Sequence, residues 1–162
     1  SCGELDQTKV KVIQVDGYYN TSHMPTPPPS IDCFIIVKEE GANNYSYYLV
    51  ELRNVTGSSF VKPREILKKF ETTFLKFIGT DFAEIFLSDE INLIELKSWL
   101  VTDPFNVSRL QLTEDQYRHR IKGTVLEQYN LSKPFMLKGR PCMVEPILPH
   151  PHICLAVTIP SL

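Results

Sequence analysis

The sequence predicts a single α/β domain with a central mixed β-sheet flanked by helices. Three observations carry this expectation. β-prone runs dominate the first third of the chain, an amphipathic run of helical period follows them, and shorter strand and helix signals alternate to the end. At 162 residues the chain is long enough for one well-filled core, and no internal repeat or low-complexity linker divides it.

The first element is the alternating run at residues 9–16, read as a strand ended by the turn signal Asp16-Gly17. Residues 18–30 contain Pro25, Pro27, Pro28 and Pro29 and read as a loop. Two β-prone segments follow, at 30–37 and 47–55. The polar stretch 38–45, with Gly41, joins them as a hairpin. A loop at 56–59 leads to the clearest helix, with Pro63 in its first turn and Ile66, Leu67, Phe70, Phe74, Phe77 and Ile78 as an apolar stripe, and Gly79 as its stop. Residues 82–87 read as a short strand and 91–100 as a strand or a helix. Residues 113–130, opened by Thr113 as a helix cap, read as a second long helix with Tyr117, Ile121, Val125 and Leu126 inward. Strands are expected at 142–144 and 153–159 in the proline-broken tail.

Composition narrows the function classes. The net charge of −2 gives no overall basic field, so a nucleic-acid partner would have to be held by local patches. No apolar run approaches the ~18 residues of a membrane span, and the four cysteines show no CxxC spacing, which together suggest a cytoplasmic protein. Sequons at Asn20, Asn44, Asn54, Asn106 and Asn130 point the other way, toward a secreted β-rich domain, which a glycan at Asn20 or Asn44 would support.

The chemistry concentrates in the hairpin. Asp32 heads its first strand, and Glu51 and Arg53 interrupt the second, although a buried strand rarely carries an acid that lacks a partner. A hairpin centred between Ala42 and Asn43 would set Asp32 opposite Arg53, with Glu51 the diagonal neighbour on the same face. Two carboxylates and the Leu52 carbonyl are hard oxygen donors suited to Mg²⁺, and a cation beside them would stabilise charge on a phosphate. A salt-bridged cluster is the plainer reading of the same residues.

An acid at the head of one strand, Glu-x-Lys in the next, then an amphipathic helix and a short strand is the pattern that this chain resembles: the PD-(D/E)xK, restriction-endonuclease-like nuclease superfamily. The matching residues are Asp32, Glu51-Leu52-Arg53, the helix from Pro63 and residues 83–87, within a nuclease-like core of about 9–88, followed by C-terminal helix and strands at 91–162. The resemblance implies a metal-dependent nuclease acting on DNA or RNA, with Mg²⁺ or Mn²⁺ held by Asp32 and Glu51. It places Arg53 where the catalytic lysine stands and Lys69 near a helical position that faces the site. A homodimer is left open, and no membrane association is expected. Arg53 departs from the pattern, because a guanidinium stays protonated and is a poor proton acceptor. A non-catalytic member of the same fold, acting as a binding or protein-interaction module, is therefore the alternative.

Other constellations are weaker. Cys142, His150, His152 and Cys154 combine zinc-binding residue types at a spacing that matches no standard finger. Lys62, Arg64, Lys68 and Lys69 form one basic group and residues 118–122 another, with Arg118 and Lys122 expected on one helical face. Tyr18, Tyr19, Tyr45, Tyr47 and Tyr48 could stack on bases or pack a core. No Ser-His-Asp or Cys-His arrangement, P-loop or glycine-rich dinucleotide loop is present.

Overall fold

A computed structural model of the chain describes residues 8–22, 24–54, 57, 61–110 and 112–149. It is α/β, with a mixed five-stranded sheet of order β1-β2-β3-β4-β7 and a separate two-stranded β5-β6 hairpin. Strands β1 (Val10–Gln14), β2 (Cys33–Lys38) and β3 (Asn44–Arg53) form an antiparallel meander. Strand β4 (Asn92–Thr102) then lies parallel to β3, and β7 (Val144–Ile147) parallel to β4. A parallel neighbour needs a long crossover, and the helical layer between β3 and β4 supplies it.

That layer begins with α2 (Pro63–Thr72), whose Pro63 sits in the first turn and whose Ile66 and Phe70 are buried. Gly79 does not stop the helix. The chain runs on as a π-helical segment, Thr73–Asp81, in which Phe74, Phe77 and Ile78 are buried. A Cβ at Gly79 would lie 2.9 Å from the Phe74 carbonyl oxygen, so the glycine permits the wide turn instead of ending it.

Residues 82–87 are not a strand. They contain α3 (Ala83–Phe86), and the strand after the crossover is β4, so the strand-or-helix run at 91–100 is strand from Asn92. Phe82, Ile85 and Phe86 suit a strand by propensity, but here Phe86 packs on Phe34, Tyr47 and Phe77 with ring centroids 5.1–6.1 Å apart. The 18–30 loop is also shorter than expected, because α1 (Val15–Thr21) replaces the turn at Asp16-Gly17 and buries Val15 and Tyr19. Tyr19 donates to Asp81 Oδ2 at 2.7 Å, joining α1 to the end of the π-helical segment.

The long helix expected over 113–130 is two short ones, α4 (Glu114–Arg120) and α5 (Glu127–Asn130). Thr113 does cap α4, in a reciprocal capping box with Gln116. Gly123, at φ +74°, takes the left-handed conformation that breaks the run, and α4 already ends at Arg120, so Lys122 lies beyond the helix that carries Arg118. Strands β5 (Phe135–Leu137) and β6 (Arg140–Cys142) form the small hairpin, so Cys142–Val144 is the junction of β6 and β7 and not one strand. The strand expected at 153–159 lies outside the described residues. No helix among the described residues is long and apolar enough to cross a membrane.

Candidate active site

The hairpin register differs from expectation by two residues. Cys33 pairs with Val50 and Phe34 with Leu49, which centres the turn between Gly41 and Ala42. Gly41 (φ +98°) and Asn43 (φ +61°) supply the left-handed backbone of this turn. Continuing the register by one residue sets Asp32 beside Glu51, not opposite Arg53. The slip is even, so parity is kept and the acids remain on one face.

That face is the one beneath α2. Asp32 stands just before β2, where its backbone carbonyl accepts the Val15 amide at 3.1 Å and its Oδ2 accepts the Leu52 amide at 2.7 Å. In a strand the N–H and C=O of one residue point toward the same neighbour, so the Leu52 carbonyl is directed to the Asp32 side, beyond the last paired residue of β2.

Glu51 is fully buried. Its two oxygens accept from Lys69 Nζ at 2.8 and 3.0 Å, and Oε1 lies 2.9 Å from Arg53 Nε. The Arg53 contact is a charge contact off the N–H axis, since Nε has no hydrogen-bond partner among the described residues. Lys69 reaches down from α2, one position before the buried Phe70, and its Nζ is also 3.9 Å from Asp32 Oδ1. All four residues expected from the sequence thus meet at one point, with one ammonium between two carboxylates.

Burial pushes the Glu51 carboxyl above its ordinary value. The Lys69 hydrogen bond and the Lys69 and Arg53 charges pull it back, while the Asp32 charge raises it further. The Cys33 thiol is likewise raised, by burial first and then by Asp32.

Two residues that carry no sequence signal complete the site. Thr73, fully buried, donates from Oγ1 to the Lys69 carbonyl at 2.9 Å and accepts the Ile31 amide at 3.3 Å. One hydroxyl therefore fixes the turn bearing Lys69 against the residue before Asp32. Tyr129, on α5, is fully buried and its hydroxyl has no hydrogen-bond partner among the described residues. Burial raises its pKa, and the opposing effects of the Arg53 and Glu51 charges place it within their field. A buried hydroxyl left unpaired beside a charge cluster is a place for a ligand or water to complete.

Asp32 and Glu51 bring hard oxygen donors to either side of the Lys69 ammonium, and the Leu52 carbonyl is directed to the same side as Asp32, a donor chemistry that fits a divalent ion such as Mg²⁺. Among the described residues no cluster of three His, Cys, Asp or Glu side chains is arranged to hold a metal. Of the zinc candidates, Cys142 is buried with Sγ 3.1 Å from Ser98 Oγ, and His150, His152 and Cys154 lie outside the described residues. Of the tyrosines read as base-stacking candidates, Tyr19 and Tyr47 are buried on Phe77 and Phe34, Tyr48 is partly buried against Trp99, and Tyr18 is exposed with one edge on Phe77. No family model, curated protein or solved structure matches the chain.

Proposed function

We propose that the protein is a metal-dependent nuclease-like protein of restriction-endonuclease-like fold that hydrolyses phosphodiesters of DNA or RNA. The observation carrying this reading is the convergence of Asp32 and Glu51 around one cation, on the sheet face beneath the helix that supplies Lys69. The element order supports it: Asp32 before β2, Glu51-Leu52-Arg53 ending β3, an amphipathic crossover helix, then the parallel strand β4.

Asp32, Glu51 and the Leu52 carbonyl would hold Mg²⁺ or Mn²⁺, which when bound acidifies water and offsets charge on the phosphate. Arg53, partly exposed at the mouth, stabilises the added negative charge as the phosphorus gains a fifth oxygen. Lys69 takes the part that a guanidinium cannot. Its ammonium is compact, lies within hydrogen-bond reach of Glu51, and can orient a water or pass a proton to the leaving oxygen. Thr73 holds Lys69 and the Asp32 strand end in register.

The test is Mg²⁺- or Mn²⁺-dependent cleavage of DNA and RNA by the wild type, Asp32→Asn and Glu51→Gln, with circular dichroism to show that each variant folds. Cleavage is expected in the wild type alone; equal cleavage by both folded variants would exclude the site.

A second reading has its own observation. Asp32 and Glu51 are balanced by Lys69 and Arg53, a neutral network that is complete without a metal, as a non-catalytic binding module would have. Calorimetric titration with Mn²⁺ separates the two. Binding that disappears in Glu51→Gln supports the enzyme, and no binding by the wild type supports the module.

A further inference from the structure

A cleft of about 900 Å³ opens directly from the ion cluster, sharing Arg53 and Lys69 with it and continuing past Arg64, Leu67, Lys133 and Phe135. Its walls come from α2, from the end of β3 and from the segment joining α5 to β5. The charges on these walls are unequal in their freedom. Glu65 is paired with Lys62 at 3.0 Å and Glu71 with Lys68 at 2.6 Å, so each acid of the cleft already has a basic neighbour on α2 or at its start. Arg64 and Lys133 are exposed and have no carboxylate partner among the described residues. In a chain of net charge −2, this cleft is a locally cationic path that leads to two carboxylates.

The cleft also has an apolar wall, of Pro29, Leu67 and Phe135. Phe135 lies flat on Phe74, with ring centroids 5.0 Å apart and planes 14° apart. One face of its ring is thus covered and the half-exposed ring borders the cleft. Cations spaced along a path beside a flat aromatic wall match a strand whose phosphates meet the cations and whose unpaired base meets the ring. A duplex keeps its bases stacked on one another and cannot offer a base to such a wall.

We infer that this cleft is the track for a single strand of nucleic acid, with Arg64 and Lys133 on phosphates flanking the Lys69 site and Phe135 against a base. The inference rests on the reading of Asp32 and Glu51 as the hydrolytic centre for the destination of the strand; the binding itself needs no metal.

The experiment measures fluorescence anisotropy of labelled oligonucleotides on the full chain in EDTA, where no cleavage occurs. Single-stranded DNA, single-stranded RNA and a blunt DNA duplex of the same sequence are compared across a salt series. Single strands are expected to bind at least about tenfold more tightly than the duplex, and the DNA and RNA arms show which sugar is preferred. In Arg64→Ala/Lys133→Ala the slope of log affinity against log salt should shrink by about 1.4, or about 0.7 for each lost phosphate contact. Phe135→Leu, which keeps an apolar partner for Phe74, should weaken single-strand binding about fivefold or more and leave the slope unchanged. An unchanged slope in the double variant, duplex binding as tight as single-strand binding, or no single-strand binding overturns the track. Cleavage that persists with an unchanged slope rejects the track but not the hydrolytic centre. A reduced slope without metal-dependent cleavage supports the track and rejects hydrolysis.

Discussion

Replacing Lys69 by methionine removes the ammonium from a fully buried carboxylate while keeping most of the apolar stem. Glu51 then retains only the off-axis contact from Arg53 Nε at 2.9 Å. Stripping one partner from a buried ion pair costs about 3–5 kcal/mol when the remaining charge has no escape. Glu51 has one, because it can take up a proton. Holding a glutamate neutral at pH 7 costs about 1.36 kcal/mol for each pH unit above ~4.3, or about 3.7 kcal/mol, and this caps the penalty. The surviving Arg53 contact and the partial exposure of Lys69 reduce it, so a loss of about 1.5–3.5 kcal/mol is expected near neutral pH. The sign with pH follows from burial. With its folded pKa raised further above the unfolded value, Glu51 leaves stability intact below about pH 4.3 and withdraws it as pH rises through the folded value. Urea unfolding, followed by the fluorescence of the single tryptophan, Trp99, at about pH 5 and about pH 7.5, reads both the size and the sign. Adding Glu51→Gln should restore much of the loss, since a neutral amide no longer requires the ammonium. A loss below ~0.5 kcal/mol, or one equal at both pH values, would refute the description of Lys69 as the main partner of a buried charge.

Tyr129→Phe should leave the urea midpoint unchanged or slightly raised, because the hydroxyl it removes has no partner, while metal-dependent cleavage falls about tenfold or more. A destabilised variant would instead show that the hydroxyl is satisfied. Thr73→Val should cost about 1–3 kcal/mol by leaving the Ile31 amide unpaired, and Thr73→Ser should restore it. Equal stability of the valine and threonine proteins, by the same unfolding measurement, would remove Thr73 from the positioning of the site.

The readable parts of this chain are those where periodicity and parity carry the information. Ile66, Phe70, Phe74 and Phe77 mark a helix because spacings of three and four recur. Asp32, Glu51 and Arg53 share a face because strand side chains alternate, and a register error of two residues cannot undo that. Where local signals conflict with packing, the sequence misleads. Asp16-Gly17 reads as a turn, yet both residues lie in α1, and Phe82 and Phe86 favour a strand but are held beside and in a four-residue helix by the aromatic core, leaving Ile85 exposed. Thr73 and Tyr129 were illegible for another reason. Their importance comes from what lies near them after folding: Ile31, 42 residues from Thr73 in sequence, and the charges of Glu51 and Arg53, at the end of β3, for Tyr129 on α5.

The π-helical segment has a consequence for tolerance to change. Its wide turns set the phase between two groups of contacts on one continuous helix: Lys69 and Thr73 toward the carboxylates at one end, Phe77 and Asp81 toward Phe34 and Tyr19 at the other. An ordinary α-helical continuation would rotate the second group away from the sheet while leaving the first in place. Gly79 therefore acts as a phase adjuster between the end of the helix that meets the carboxylates and the end that packs on the aromatic core. A substitution at Asp81, beyond Gly79, is therefore separated from Lys69 by these wide turns, whereas one at Phe77 lies on the Lys69 side of them.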